Sequence, residues 1–239
     1  MEYHDIQFLI LNNKILNYDL LFIFSLNLLI LWFIYSTFGK SYALDKPDNR
    51  KKHKQAVPQI GGLVFGTILL VQFISYKVLP AWYLIGLFCS ISLGALDDKL
   101  NVSWKAKLII QIILMAFVAS SFYDNISQIV LYSYVIPFNK SLFTMIFSLW
   151  FLGIINAVNL IDGLDGLAAG IVIIFCSIAL FFNNDIFFQV NVHILISLVV
   201  FLIFNQRPAK IFMGDAGSLF LGFHIATLPL LFFDHLSVY

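Results

Sequence analysis

Long apolar runs broken by short polar stretches dominate the chain. A helix that crosses a bilayer needs about 20 apolar residues. Eight runs approach that length: 20–38, 57–78, 80–96, 106–123, 142–158, 167–183, 188–204 and 217–234. The pattern predicts an all-α fold, a polytopic transmembrane helical bundle of about eight spans, in one domain over 1–239. Residues 124–141 mix Asn125, Ser127, Tyr132, Tyr134, Pro137 and Asn139, and read as an external loop with room for extended structure. No basic region precedes the first apolar run, so that run is expected to stay as a span rather than be cleaved as a leader.

The polar stretches obey a parity. "GKSYALDKPDNRKKHKQAVPQIGG" follows the first span, "DDKLNVSWK" the third, "NAVNLIDGLDG" straddles the end of the fifth, and "NQRPAKIFMGDAGS" follows the seventh. Each follows an odd-numbered span, so all four are expected in one compartment. That side holds Lys40, Lys46, Arg50, Lys51, Lys52, Lys54, Lys99, Lys105, Lys107, Arg207 and Lys210; the other holds Lys14, Lys77 and Lys140. Loops rich in Lys and Arg stay cytoplasmic. The four stretches are therefore expected to face the cytoplasm, with the N-terminus outside.

Composition removes the soluble alternative. The chain is 61% hydrophobic and 11% charged, with mean hydropathy +0.92, whereas soluble domains carry about 25% charged residues. The net charge of +1 gives no general attraction for polyanions, and no nucleic-acid partner is expected. Cys89 and Cys176 lie inside apolar runs, without a disulfide or zinc pattern.

Chemistry gathers on the basic side. Asp45, Asp48, Asp97, Asp98, Asp162, Asp165 and Asp215 all fall there. Adjacent carboxylates such as Asp97 and Asp98 repel unless a cation or basic groups neutralise them. Asp162 and Asp165, three apart, share a side if their segment is a helical turn. Carboxylates facing water suit Mg²⁺, which takes one or two of them together with substrate phosphates. "DNRKKHK" supplies the complement, since such a cluster at a bilayer surface holds phosphate. Carboxylates and cations together point to phosphoryl-group chemistry at the membrane face. Bland readings stand beside each feature. Asp215 serves as a helix cap, the basic loop only sets topology, and Gly163, Gly166 and Gly170 only let helices pack. The helix start behind Gly214 and Asp215 also offers backbone N–H groups to an anion. His193, His224 and His235 read as structural.

Four motifs in order resemble the polyprenyl-phosphate N-acetylhexosamine-1-phosphate transferases: "DKPDNRKKHKQAVPQIGG" (45–62), "LGALDDKLNVSWKAKLIIQ" (93–111), "NAVNLIDGLDGLAAG" (156–170) and "PAKIFMGDAGSLFLG" (208–222). That family, glycosyltransferase family 4, includes the undecaprenyl-phosphate GlcNAc-1-phosphate transferases and the phospho-N-acetylmuramoyl-pentapeptide transferases. The resemblance implies an Mg²⁺-dependent enzyme, with Mn²⁺ as the alternative ion, in the cell inner membrane with its active site cytoplasmic. Its partners would be polyprenyl phosphate, a UDP-N-acetylhexosamine, membrane lipid and, by analogy, a second copy in a homodimer. The lipid phosphate attacks the β-phosphate of the UDP-sugar and UMP leaves. Carried over by residue, Asp215 is a metal ligand with Asn159 assisting. Asp97 and Asp98 act near the lipid phosphate, and Asp162 and Asp165 at the nucleotide-sugar site. Asn156 shapes that site, and Arg50, Lys51 and His53 meet phosphate or lipid. A phosphate monoester has its second pKa near 6, so Asp97 positions the acceptor more than it deprotonates it.

One departure is expected to matter. Members of the family continue for two or more further spans and carry a His-rich cytoplasmic loop, which "FFDHLSVY" does not match. The chain is expected to be C-terminally short: a fragment, a part completed by another polypeptide, or an inactive homologue. A transporter is the other class, because intramembrane acids line ion paths; here the acids gather at one face instead.

Overall fold

The structure is a computed structural model. It describes the backbone of residues 3–38, 44–45, 56–75, 79–123, 128–131, 134–137, 139–181 and 186–236, and the side chains of 20–38, 44–45, 56–75, 79–121, 123, 139–181 and 187–229. The described parts of the eight apolar runs fall mainly on eight helices: α1 (Tyr3–Phe38), α2 (Gly61–Ser75), α3 (Ala81–Leu100), α4 (Trp104–Phe122), α5 (Lys140–Ile161), α6 (Leu167–Ala179), α7 (Ile186–Asn205) and α8 (Gly214–Leu236). Among the described residues, four stretches are long and apolar enough to cross a membrane: Leu20–Phe38, Trp104–Ser121, Lys140–Ile161 and Phe187–Asn205. Their outward faces carry large apolar side chains such as Leu21, Trp32, Ile109, Ile113 and Leu149. Exposed apolar surface on this scale marks a protein solvated by lipid.

Local signals set the helix ends. Ser103 accepts the Ala106 N–H (3.3 Å) to start α4, and Asn139 accepts the Leu142 N–H (2.7 Å) to start α5, each satisfying a donor the first turn cannot. Asn101, in the left-handed region at φ 50°, ends α3. Residues expected as an external loop contain an antiparallel hairpin, with β3 (Gln128–Leu131) paired to β4 (Tyr134–Pro137). A second pairing, β1 (Leu44–Asp45) with β2 (Val57–Pro58), closes the base of the basic loop.

Helix α8 is the axle of the bundle. From Ala216 to Leu228 every residue is buried, enclosed by α2, α3, α5 and α6. Phe151 of α5 stacks on Phe223, and the Trp150 Nε1–H reaches the Ala226 carbonyl at 2.9 Å. Deeper in the bundle the Tyr83 hydroxyl contacts His224 Nδ1 (2.8 Å) and His224 Nε2 contacts Asn191 Oδ1 (3.0 Å). This pins α3, α7 and α8 together and bears out a structural reading of His224.

The described parts of the polar stretches meet at one end of the bundle. The segment before α2 bonds to the segment before α8 through Gly61 N–H to Phe212 O (3.0 Å), Gly62 N–H to Met213 O (2.8 Å) and Phe212 N–H to Pro58 O (2.9 Å). The turn after α5 bonds to the end of α7, Gly166 N–H to Asn205 Oδ1 (2.8 Å).

Candidate active site

The site is built around the first turn of α8. The apolar run alone sets that helix from 217, but the helix begins at Gly214 and places Asp215 inside its first turn. Two features start it early. Gly214 has φ 71°, a conformation glycine adopts without strain. The N–H groups of Asp215 and Ala216, left without carbonyl partners at a helix start, donate to Asp98 Oδ1 (2.8 Å) and Oδ2 (3.1 Å). The anion at this helix start is thus a carboxylate of the chain itself, favoured there by the helix dipole. A Cβ on Gly214 would come within 2.7 Å of Asp98 Oδ2. On α3, one turn before Asp98, a Cβ on Gly94 would collide with the backbone of Asp215 and Ala216. The two helices therefore touch backbone to backbone, and that contact aims Asp98.

Lys107 completes the cluster. Its Nζ donates to Asp97 Oδ2 at 2.9 Å and pairs with Asp215 Oδ2. Counted along the sequence, Lys107 is one more charge on the basic side. Its signal lay in its position two residues inside an apolar run, where a cation is costly unless paired. From α5, Asn159 donates its Nδ2–H to Asp215 Oδ1 (2.8 Å) and to the buried Ser218 Oγ (2.8 Å). Asn156, one turn earlier, instead faces α4, donating to Gln111 Oε1 at 3.1 Å. Lys107, Ser218 and Gln111 are the residues that sequence reasoning did not assign to the site.

Asp162 and Asp165 part company, because the segment after α5 is a turn rather than a helix. Asp162 caps α5 with its N–H on the Val158 carbonyl (3.2 Å). Burial, and then the negative charges of Asp215 and Asp98, push its carboxyl up to about 8. Asp98, beyond the apolar run of α3, is pushed up to about 7 by burial, even though its two backbone N–H bonds act the other way. Asp165 is exposed and its Oδ2 accepts the Ala209 N–H at 3.3 Å in the connection before α8. The structure thus brings Asp97, Asp98, Asp162, Asp215, Asn159 and Lys107 together and sets Asp165 to one side. Arg50, Lys51 and His53 lie outside the described residues.

Among the described residues, four carboxylates here gather about the ammonium of Lys107, and three of them, Asp98, Asp162 and Asp215, hold protons more tightly than free carboxyls do. Such an excess of hard oxygen donors fits a divalent cation of the Mg²⁺ type. Among the described residues, no group of three or more His, Cys, Asp or Glu side chains is gathered closely enough to hold a metal ion as it stands. The fit therefore rests on donor type and charge, with Asp215 and Asn159 at the centre, and not on a preformed cage.

Comparison with known proteins points to one family. Glycosyl transferase family 4 matches residues 80–233. A protein of Bacillus subtilis described as a probable undecaprenyl-phosphate N-acetylglucosaminyl 1-phosphate transferase is 37% identical over 203 residues, covering 79% of this chain and 55% of that protein. The undecaprenyl-phosphate alpha-N-acetylglucosaminyl 1-phosphate transferase of Thermotoga maritima is 32% identical over 196 residues, covering 82% and 59%. The phospho-N-acetylmuramoyl-pentapeptide-transferase of Lactobacillus johnsonii is 37% identical over 201 residues, covering 74% and 62%. The chain thus spans 55% to 62% of the length of these three relatives.

Proposed function

The chain belongs to glycosyl transferase family 4, and from that premise we propose that it transfers an N-acetylhexosamine-1-phosphate, GlcNAc-1-phosphate first, from a UDP-sugar to undecaprenyl phosphate. An oxygen of the lipid phosphate forms a bond to the β-phosphorus of the UDP-sugar. The diphosphate bond breaks toward the α-phosphate, and UMP leaves with the electron pair. The observation that carries this reading is the convergence of Asp97, Asp98, Lys107, Asn159 and Asp215, from four helices, on one helix start. The names of the relatives supply the substrate class.

In this reading Asp215 and Asn159 hold an Mg²⁺ ion, which when bound neutralises charge on the diphosphate. Asp98 fixes the first turn of α8 and so positions Asp215. Lys107, its ammonium oriented by Asp97, meets the acceptor phosphate, which is already largely ionised at neutral pH because its second pKa is near 6. Asp162 borders the sugar nucleotide, and Asp165 steadies the connection that carries Ala209. The site faces the cytoplasm of a bacterial inner membrane, in keeping with the basic residues on that side.

The chain, reconstituted with undecaprenyl phosphate and Mg²⁺, is assayed for UMP release against a panel of UDP-sugars. We expect release with UDP-GlcNAc and formation of undecaprenyl-diphospho-GlcNAc. Asn159→Ala is expected to lower the rate about 10–100-fold, the usual cost of disturbing the support of a metal ligand, and Asp215→Ala by at least as much. UMP release undiminished in Asp215→Ala contradicts the reading.

A further inference from the structure

A cavity of about 260 Å³ between α4 and α5 is lined by Trp104, Lys107, Leu108, Gln111, Asn156 and Asn159. Gln111 is 2% exposed, and its Nε2 has no hydrogen-bond partner among the described residues. The sense of its amide is fixed by its neighbours. Asn156 Nδ2 also donates to the Leu152 carbonyl at 2.8 Å, so the Asn156 atom that faces Gln111 is nitrogen. The Gln111 atom 3.1 Å away is therefore the oxygen. Asn156 thus holds Gln111 by its acceptor and leaves both amide hydrogens of Gln111 uncommitted. A buried donor left unpaired is costly, and in a native chain it calls for a partner from outside the fold.

The walls say what that partner is. Lys107 lines the same cavity; two of its three ammonium hydrogens go to Asp97 and Asp215, and the third is left for an acceptor that carries negative charge. Trp104 and Leu108 stand on the outer surface of α4, 70% and 38% exposed, and Ile109, Ile112 and Ile113 continue that exposed apolar face. A ligand that enters past them carries hydrocarbon and ends in an anionic oxygen. A nucleotide sugar has no hydrocarbon to lay on such a wall. We propose that Gln111 contacts substrate, donating its side-chain N–H to a phosphate oxygen of the acceptor lipid, and that Asn156 is the positioning residue that turns the amide toward the cavity. The assignment rests on the transferase reading above but is tested apart from turnover.

Binding is measured by ligand-induced thermal stabilisation of the full chain in detergent without metal, using undecaprenyl phosphate, undecaprenol and UDP-GlcNAc as separate probes. The wild type is expected to favour undecaprenyl phosphate over undecaprenol. Gln111→Met, of similar shape but without a donor, is expected to weaken undecaprenyl phosphate on the order of tenfold, the usual effect of losing a hydrogen bond to a charged group. It should leave undecaprenol and UDP-GlcNAc unchanged, and it should not lower the melting temperature of the ligand-free chain. Gln111→Glu, which keeps the polarity but opposes the phosphate charge, is expected to weaken undecaprenyl phosphate further. Wild-type affinity in both variants, or equal losses for the two lipids, overturns the role of Gln111 and leaves the transferase reading standing. A wild type that does not distinguish undecaprenyl phosphate from undecaprenol overturns both.

Discussion

Asp98 spends both carboxylate oxygens on the Asp215 and Ala216 amides in the first turn of α8, so its contribution is to hold Asp215 in place. Asn at this position keeps one acceptor and turns an amide N–H toward a backbone N–H. Asp98→Asn is therefore expected to destabilise the chain by about 1–3 kcal/mol and to lower UMP release through misplacement of Asp215. Thermal unfolding in detergent measures the first effect. Asp162 makes a pH prediction of definite sign. Its carboxyl, near 3.9 in an unfolded chain, is raised to about 8 in the fold. Such an acid gives its full advantage to the folded chain below the unfolded value, where both states are protonated, and loses it progressively as pH climbs from the unfolded value to the folded one. The metal-free protein is expected to melt at progressively lower temperature from about pH 4 to about pH 8 and to level off above that. Asp162→Asn is expected to flatten that fall, and melting curves across the range decide it. Residue identity pointed to Asp97, Asp98, Asp162, Asp165 and Asp215, and the family resemblance added Asn159. It could not show that Asp98 binds amides 117 and 118 positions away, because nothing local to "DDK" encodes that partner. Lys107 was hidden by being counted only as a charge. Its pairing across 108 positions to Asp215 makes it part of the chemistry.

At the scale of elements, the contact of α3 with α8 carries the site. Gly94 admits the α8 backbone one turn from Asp98, and Ala there has no room. Gly94→Ala is expected to cost about 1–3 kcal/mol, as overpacking does, and to pull Asp98 away from the amides it caps. The loss of UMP release should then exceed what the stability loss alone explains at a temperature where the variant remains folded. The apolar runs made the helices legible, because a helix that faces lipid must be apolar along its length. They failed at the start of α8, where a positive-φ glycine and a distant cap lengthen the helix past the apolar limit. They also left the 128–137 hairpin as a loop, since Val130, Val135 and Ile136 favour extended backbone among residues too mixed to show alternation.

For the whole molecule, an odd number of spans before each polar stretch predicted one shared compartment; the described parts of those stretches are joined by hydrogen bonds between the approaches to α2 and α8, between Asp98 and the start of α8, and between the turn after α5 and the end of α7. The proposed direction across the membrane rests on the Lys and Arg distribution. Asn139 and Asp165 flank α5 at opposite ends and are both exposed. Single cysteines at these positions, introduced with Cys89 and Cys176 replaced by Ala, give a direct reading. In intact cells a membrane-impermeant maleimide is expected to label Asn139→Cys, and Asp165→Cys only after permeabilisation. The reverse pattern would invert the proposed topology.

The central claim is that carboxylates from α3 and α8, the ammonium of α4 and the amide of α5 act as one centre. A double-mutant cycle on the rate of UMP release tests it most directly, with Lys107→Met, Asp97→Asn and the pair combined. Groups that act together lose their effect together, so the double variant is expected to be no slower than the worse single one. Losses that multiply, each independent of the other, would contradict a single centre at the start of α8.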